Sequence, residues 1–342
     1  MAKILDHRTV VRDGWHNMST WVVHWQGAYW LMYRRARGHH ADPAGRVVLL
    51  TSTDGRRFDQ AAMFKMPGDT RGHVLTPMGE RRIAATFVST RECLGLGDDA
   101  LTHQYVCFSE DGVHWDTPRE ILEPGQHLFR IREHEGRFYG MACGRYPPRS
   151  TLELMTSADM FHWERISRIG DDEHQMNETD IHFDARGRAT AVARTVRKPD
   201  DHAMLCHADP PYTKWAVADL GFTLHCPTLL EHEGALYLAA RYFPARHDEP
   251  AWPFGASLAV WRIENDTLQK VLRIPATGDC AYPGLVSGPE GRVCLSYYSQ
   301  HAYHWGVLAP FRGALPEGPR DAAGTPSVLS VNDIYFAELQ LP

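Results

Sequence analysis

Three stretches of the chain share one pattern, Ser-x-Asp-x-x-x-aromatic: Ser52-Thr53-Asp54-Gly55-Arg56-Arg57-Phe58, Ser109-Glu110-Asp111-Gly112-Val113-His114-Trp115 and Ser157-Ala158-Asp159-Met160-Phe161-His162-Trp163. They return at intervals of roughly 50 residues, a period that belongs to propellers and arrays built from small repeated units. The pattern makes sense as a turn. The Ser and Asp side chains bond to backbone groups of a tight bend, the Gly of the first two copies permits a positive φ, and the aromatic ring packs underneath. One copy would be an ordinary hairpin turn; three in register count repeats. A degenerate fourth copy runs Asp209-Pro210-Pro211-Tyr212-Thr213-Lys214-Trp215.

A second periodicity runs through the whole chain. A strand, a turn containing Gly and a second β-rich run recur six times, with turn glycines Gly27, Gly79, Gly136, Gly187, Gly234 and Gly291. No long segment shows sustained helical periodicity. Six four-stranded antiparallel units without helices predict an all-β, six-bladed β-propeller, in which no blade buries its faces alone and each stacks on its neighbours. No linker marks a boundary, so residues 1–342 read as a single propeller domain. The alternating stretch 334–341 is expected in the closing blade together with the N-terminal strand 4–12, which leaves few exposed edges. The Pro- and Gly-rich residues 309–326 read as a surface loop of that blade.

Composition excludes several classes. The chain is 43% hydrophobic and 23% charged, enough apolar residues for a sizeable core. A formal net charge of −6 gives no reason to expect nucleic acid or an anionic membrane as a partner. The seven cysteines are odd in number and include no C-x-x-C, which argues against a disulfide framework and a zinc site. The N-terminus lacks an apolar run of signal-peptide length, and no segment approaches the ~18 apolar residues of a membrane span, so a cytoplasmic location is expected. No motif calls for a cofactor.

In a propeller, the residues before each innermost strand and after each second strand converge on one mouth. Before the first strands stand Asn17 and Ser19; Asp69, Arg71 and His73; His127 and Arg130; Asn177, Glu178 and Asp180; His225; and Asp279 and Tyr282. After the second strands stand Arg34 and Arg35, Arg91, Arg145, Arg194, Arg241, and Tyr298 with His301. Five of six blades thus deliver an arginine at what reads as an equivalent position. Arginine makes forked, two-bond contacts to carboxylate, sulfate or phosphate, so a converging set predicts an anionic ligand. Alternatively, each is a strand-end arginine paired with a nearby acid.

Glu178 and Tyr282 fall at the mouths of blades four and six. A Tyr hydroxyl is a poor nucleophile near neutral pH unless a carboxylate takes its proton, and Glu178 is placed to be that base. The alternative is a structural Tyr bonded to a turn. Asp42, in the polar loop of blade one, is a candidate general acid or, before Pro43, the start of a turn. His73, His127 and His225 are candidates for sugar hydrogen bonding or proton transfer; their spacing is not diagnostic of a metal.

These residues resemble the sialidase (neuraminidase) superfamily of Asp-box propellers. The Ser-x-Asp turns are similar to the Asp box, with its usual Gly-x-Thr-Trp ending loosened. The stretch from Asn177-Glu178-Thr179-Asp180 through Gly187-Arg188 to Ala193-Arg194 resembles the segment that carries the family's catalytic Glu and one arginine of its carboxylate-binding triad. The resemblance implies a second triad arginine at Arg241, a nucleophilic Tyr at Tyr282 and an acid/base at Asp42. The chain departs from the family at blade one, where an Arg-Ile-Pro-like motif is replaced by Asn17-Met18-Ser19-Thr20; Arg34, Arg35 or Arg71 would have to substitute.

Three functions follow as expectations. The first is a retaining exo-glycosidase acting on a carbohydrate with a terminal acidic sugar, with Tyr282 as nucleophile, Glu178 its base and Asp42 the acid/base. The second is a propeller-type polysaccharide lyase acting on a uronate, with His73, His127, His225 or Tyr282 taking the proton. The third is a carbohydrate- or protein-binding propeller without turnover, since a fold alone assigns no activity.

Overall fold

The computed structural model of the protein describes residues 1–91, 102–144, 151–170, 175–196, 201–247, 249, 255–304 and 331–342. Arg145 and the stretch 309–326 lie outside the described residues.

Inner hairpins set the repeat. Gln26 and Gly27 both take positive φ, 49° and 74°, the backbone that a two-residue hairpin needs to match strand twist. The other turn glycines expected from the sequence also have positive φ. The strands assemble into six separate four-stranded antiparallel sheets, each in simple sequential order except the last. Blade I holds β2 (His16–Trp25), β3 (Ala28–Ala36), β4 (Arg46–Ser52) and β5 (Asp59–Phe64). Blade II holds β6 (Asp69–Met78), β7 (Arg82–Thr90), β8 (Thr102–Ser109) and β9 (Arg119–Glu120). Blade III holds β10 (Gln126–His134), β11 (Arg137–Gly144), β12 (Leu152–Ser157) and β13 (Glu164–Ile169). Blade IV holds β14 (Met176–Phe183), β15 (Ala189–Thr195), β16 (Met204–Ala208) and β17 (Ala216–Asp219). Blade V holds β18 (Leu224–His232), β19 (Ala235–Tyr242), β20 (Ser257–Glu264) and β21 (Thr267–Ile274).

Blade VI is composite. Its inner strands β22 (Ala281–Ser287), β23 (Val293–Ser299) and β24 (Asp333–Gln340) come from the end of the chain, and its outermost strand is β1 (Lys3–Val11). β1 pairs antiparallel with β24 from Lys3 opposite Gln340 to Val11 opposite Ile334, so the ring is closed by hydrogen bonds between the two ends. No described helix is long and apolar enough to cross a membrane.

Burial falls from inner to outer strands. β3 is buried almost throughout because neighbouring blades cover both its faces, whereas β5 has one buried residue, Phe64, and is otherwise exposed or half-buried. Trp21 and Trp25 of blade I carry indole N–H groups into this core, and each donates to a backbone carbonyl of blade II, Leu75 and Gly79, at 2.8 and 3.0 Å. Without those acceptors, each buried donor would cost about 1–3 kcal/mol.

The three Ser-x-Asp turns join third to fourth strands, at the rim. In each, one Asp oxygen accepts two consecutive backbone N–H groups: Arg56 and Arg57 on Asp54, Val113 and His114 on Asp111, Phe161 and His162 on Asp159. Each turn leans on the preceding blade. A Cβ on Gly112 would lie 2.2 Å from the Trp30 ring of blade I, and its φ is +74°, so glycine is needed there twice over. The degenerate turn of blade IV behaves alike: Tyr212 packs edge-on to Tyr139 of blade III, and Trp215 donates to Ser167.

Candidate active site

All six inner strands share one irregularity. Each carries one residue more than its partner at the same level: between Met18 and Trp21, Arg71 and Val74, Leu128 and Ile131, Met176 and Thr179, His225 and Thr228, and Ala281 and Gly284. A bulge interrupts the alternation of a strand and re-aims its side chains. At four of the bulges one residue has positive φ: Ser19 56°, Gly72 57°, Cys226 54° and Tyr282 45°. For a non-glycine residue this costs of order 1–3 kcal/mol and persists only where its surroundings over-determine it.

Tyr282 and Cys226 show what the strain positions. The Tyr282 hydroxyl donates to Glu178 Oε1 at 2.6 Å. Cys226 donates to Glu178 Oε2 twice, from its backbone N at 3.2 Å and from Sγ at 3.0 Å. Arg194 NH1 lies 3.0 Å from Glu178 Oε1. Bulges of blades IV, V and VI therefore meet at one carboxylate. Burial alone would raise Glu178; Arg194, the Cys226 and Tyr282 donors and nearby Arg241 outweigh it and hold the group at about 2. Burial, reinforced by the Glu178 charge, pushes Tyr282 well above its ordinary value. At neutral pH the proton thus resides on the tyrosine.

The arginines divide. Arg194 and Arg241 stand at this carboxylate. Arg241 NH2 donates to His225 Nδ1 at 2.6 Å, and the buried Nε of each arginine has no hydrogen-bond partner. Arg34 is fully buried and occupied: it forks onto Asp69 with two bonds of 2.9 Å and donates to the carbonyls of Gly38 and His40. Arg35 pairs with Asp13 at 3.1 Å over the Trp15 ring. Arg71 bonds Asp69 Oδ2 through Nε at 2.6 Å, and Arg91 donates to the Tyr105 hydroxyl at 3.1 Å. The expected equivalence of these arginines fails once the bulges set the register. Arg194 lies opposite a bulge, Arg34 and Arg241 one residue further, Arg35 two and Arg91 four.

Two acids hold structure. Asp180 is fully buried and accepts Arg132 Nε at 3.0 Å and the backbone N–H groups of Leu229 and Ile181, tying blades III, IV and V together. Asp42 is buried, and its two oxygens accept the backbone N–H groups of Arg37 at 2.7 Å and Ala44 at 2.9 Å. That is the turn alternative for Asp42, not a carboxyl presented to a ligand.

Two hollows meet at the mouth. A small cavity of about 20 Å³, room for about one water, is lined by Ser19, Thr20, His73, His127, Arg130 and Tyr282 among others. A wider cleft of about 410 Å³ is lined by residues that include His39, Arg71, Thr90, His127, Cys143 and Asn177. His127 belongs to both, and its approach depends on Gly72, where a Cβ would lie 2.6 Å from the ring. Burial lowers all three candidate histidines, His73 to about 3, His127 to about 4 and His225 to about 3, so they are neutral.

Three features lay beyond sequence reasoning about roles. Cys226 carries no motif. Arg130 occupies in blade III the bulge position that Glu178 holds in blade IV, and its guanidinium lies 4.1 Å from the Trp21 ring centroid and 5.9 Å from that of Tyr282. The third is a cluster at the blade I–VI edge. Asp279 Oδ2 lies 2.9 Å from His16 Nε2 and 2.7 Å from His39 Nδ1, while Oδ1 accepts the Tyr298 hydroxyl at 3.1 Å.

No family model matches the sequence, and no curated protein matches it. Solved structures do. A protein of unknown function from Dyadobacter fermentans superposes with a TM-score of 0.77 at 18% identity, over 100% of this chain and 99% of that one. Trypanosoma rangeli sialidase in complex with the inhibitor DANA gives 0.64 at 12% identity, over 95% of this chain and 55% of that one. The GH43_1 enzyme from Xanthomonas citri complexed with xylose gives 0.53 at 10% identity, over 78% and 93%. At these identities the likeness is one of fold: the chain is a six-bladed propeller with glycoside hydrolases among its structural neighbours.

Proposed function

We propose that the protein is a sialidase-like exo-glycosidase that acts on a terminal acidic sugar with retention of configuration, using Tyr282 as nucleophile. The observation that carries this reading is the shared oxygen: Glu178 Oε1 accepts the Tyr282 hydroxyl at 2.6 Å and lies 3.0 Å from Arg194 NH1. A hydroxyl poised on a carboxylate that is itself held by arginines suits a nucleophile whose proton leaves only when the ligand arrives. An anionic group seated on Arg194 and Arg241 draws positive charge away from Glu178. The proton affinity of Glu178 then rises, and it can take the Tyr282 proton as the phenolic oxygen bonds to the anomeric carbon. The glycosidic C–O bond breaks in the same step, and the leaving oxygen takes a proton from solvent water. Water then adds its oxygen to the anomeric carbon and releases a proton to solvent as the Tyr–sugar bond breaks, and Glu178 returns its proton to Tyr282. A nucleophile that is neutral before it reacts suffers less repulsion from an anionic sugar than a carboxylate would.

The sialidase and the GH43_1 enzyme among the structural neighbours support a glycosidase, and the pair of arginines beside Glu178 supports an acidic sugar. A polysaccharide lyase acting on a uronate is the second reading, favoured by one observation: His127, neutral at pH 7, lines both hollows and could take a proton next to a uronate carboxylate.

Aryl glycosides of sialic acids, related keto-deoxy sugars and uronic acids test the proposal. Release of the aryl group from an acidic sugar is expected, with Tyr282→Phe slowing turnover by at least about 10³-fold while ligand binding persists. A fully active Tyr282→Phe variant removes the mechanism. An unsaturated, ultraviolet-absorbing product indicates the lyase instead.

A further inference from the structure

We propose that His16, His39 and Asp279 form a binding site for a divalent transition metal of the zinc class, open to the cleft. Their three ligand atoms lie within 4.8 Å of one another, though they come from the first strand of blade I, the loop after its second strand and the lead into blade VI. Two imidazoles and one carboxylate are a donor set that borderline metals accept, with further positions left for water or ligand. The ring geometry fits. The two imidazole centroids are 5.7 Å apart with planes at 86°, and both rings aim a nitrogen at the same Asp279 oxygen. Bonds of about 2.0–2.1 Å to a tetrahedral ion place neighbouring donor atoms about 3.3 Å apart. The contacts of 2.9 and 2.7 Å need to open by only about half an ångström, and His39, exposed on its loop, can make that shift.

The surroundings hold the donors in place. Tyr298 donates to Asp279 Oδ1, and the Gln300 side chain accepts the backbone N–H of Asp279 at 2.8 Å. Such outer partners fix ligand orientation in metal sites. His16 is buried and supplies a rigid wall, while His39 also lines the cleft, so an ion between them faces the mouth. It would add positive charge on the side where Arg34 and Arg35 are occupied by Asp69 and Asp13. The site stands independently of the glycosidase reading.

Calorimetric titration of the chelator-treated full chain with Zn²⁺ tests this directly, with Co²⁺ absorption as a second readout. One equivalent of Zn²⁺ should bind the wild type, and His39→Ala and Asp279→Asn should weaken binding by roughly 100-fold or more. The Co²⁺ form should show weak visible bands without an intense near-ultraviolet thiolate band. His39→Ala changes an exposed side chain, so its metal-free melting should match the wild type. Absence of saturable binding to the wild type overturns the proposal. Equal affinity in all three proteins, or a thiolate band placing the ion on cysteines, overturns it as well. Because binding is read without substrate, its failure leaves Tyr282-dependent turnover untouched, and the converse holds.

Discussion

The mouths of blade I and blade V present the same residue at the same register. Arg34 and Arg241 each stand one place beyond the residue opposite the inner-strand bulge. In blade I the arginine is consumed: Asp69 meets it with both oxygens, two loop carbonyls and the Met18 sulfur take its remaining donors, and none of its surface reaches solvent. In blade V the arginine hydrogen-bonds a neutral imidazole nitrogen and no carboxylate, and among the described residues its Nε has no hydrogen-bond partner. What separates them is a partner on the next blade. Asp69 opens blade II beside Arg34, whereas the anion near Arg241 is Glu178, which Arg194 already holds. A strand-end arginine is a brace or an anchor according to that neighbour.

Arg34→Ala should break the blade I side most severely. Removing it strips the buried Asp69 of its forked partner and leaves Arg71 alone to compensate, a loss of about 3 kcal/mol in urea unfolding. Arg241→Ala should instead leave unfolding nearly unchanged and weaken an anionic ligand by about 2 kcal/mol, close to 30-fold in KM. If both variants lose stability alike, the distinction between brace and anchor fails. Gly112→Ala probes the rim, far from either arginine: the added methyl meets Trp30 at a positive φ, and a loss of roughly 1–3 kcal/mol is expected with turnover unchanged once folded.

The smallest expected effect is a pH slope. Burial lowers His73, His127 and His225 to about 3, 4 and 3 from 6.5, so the unfolded chain binds protons that the folded chain refuses. Their contribution to stability is therefore complete above pH 6.5 and drains away as pH falls toward those folded values. Glu178, lowered to about 2 from 4.5, adds stability that is present above pH 4.5 and lost toward pH 2. Melting curves should show a decline that begins below pH 6.5 and a second one below pH 4.5. Glu178→Gln should lessen the second and leave the first unchanged; Asp279, Asp201 and Glu338, also lowered, keep the remainder.

The blades were legible because their punctuation is local. Gly27 with its five counterparts, and the Ser-x-Asp turns with their own backbone bonds, need nothing distant to take their shape. Glu178 and Tyr282 were legible as candidates since each opens an inner strand, and the structure joins them 104 residues apart in sequence. Arg34 misled because its fate rests on Asp69, which no motif links to it. Asp42 had two readings, general acid or turn, and the backbone N–H groups of Arg37 and Ala44 take both its oxygens. Cys226 and the His16–His39–Asp279 cluster were silent because bulge geometry and a 263-residue separation leave no spacing to read.

Blade VI carries one more consequence. Tyr282 rides on β22, the inner strand of the only blade made from both ends of the chain. During synthesis, the strands of the other five blades emerge in order, yet this one waits until β24 appears and β1 returns to pair with it. Tyr282 and its contact to Glu178 are therefore among the last parts of the protein to be secured. Closure of the ring secures the blade on which Tyr282 reaches Glu178.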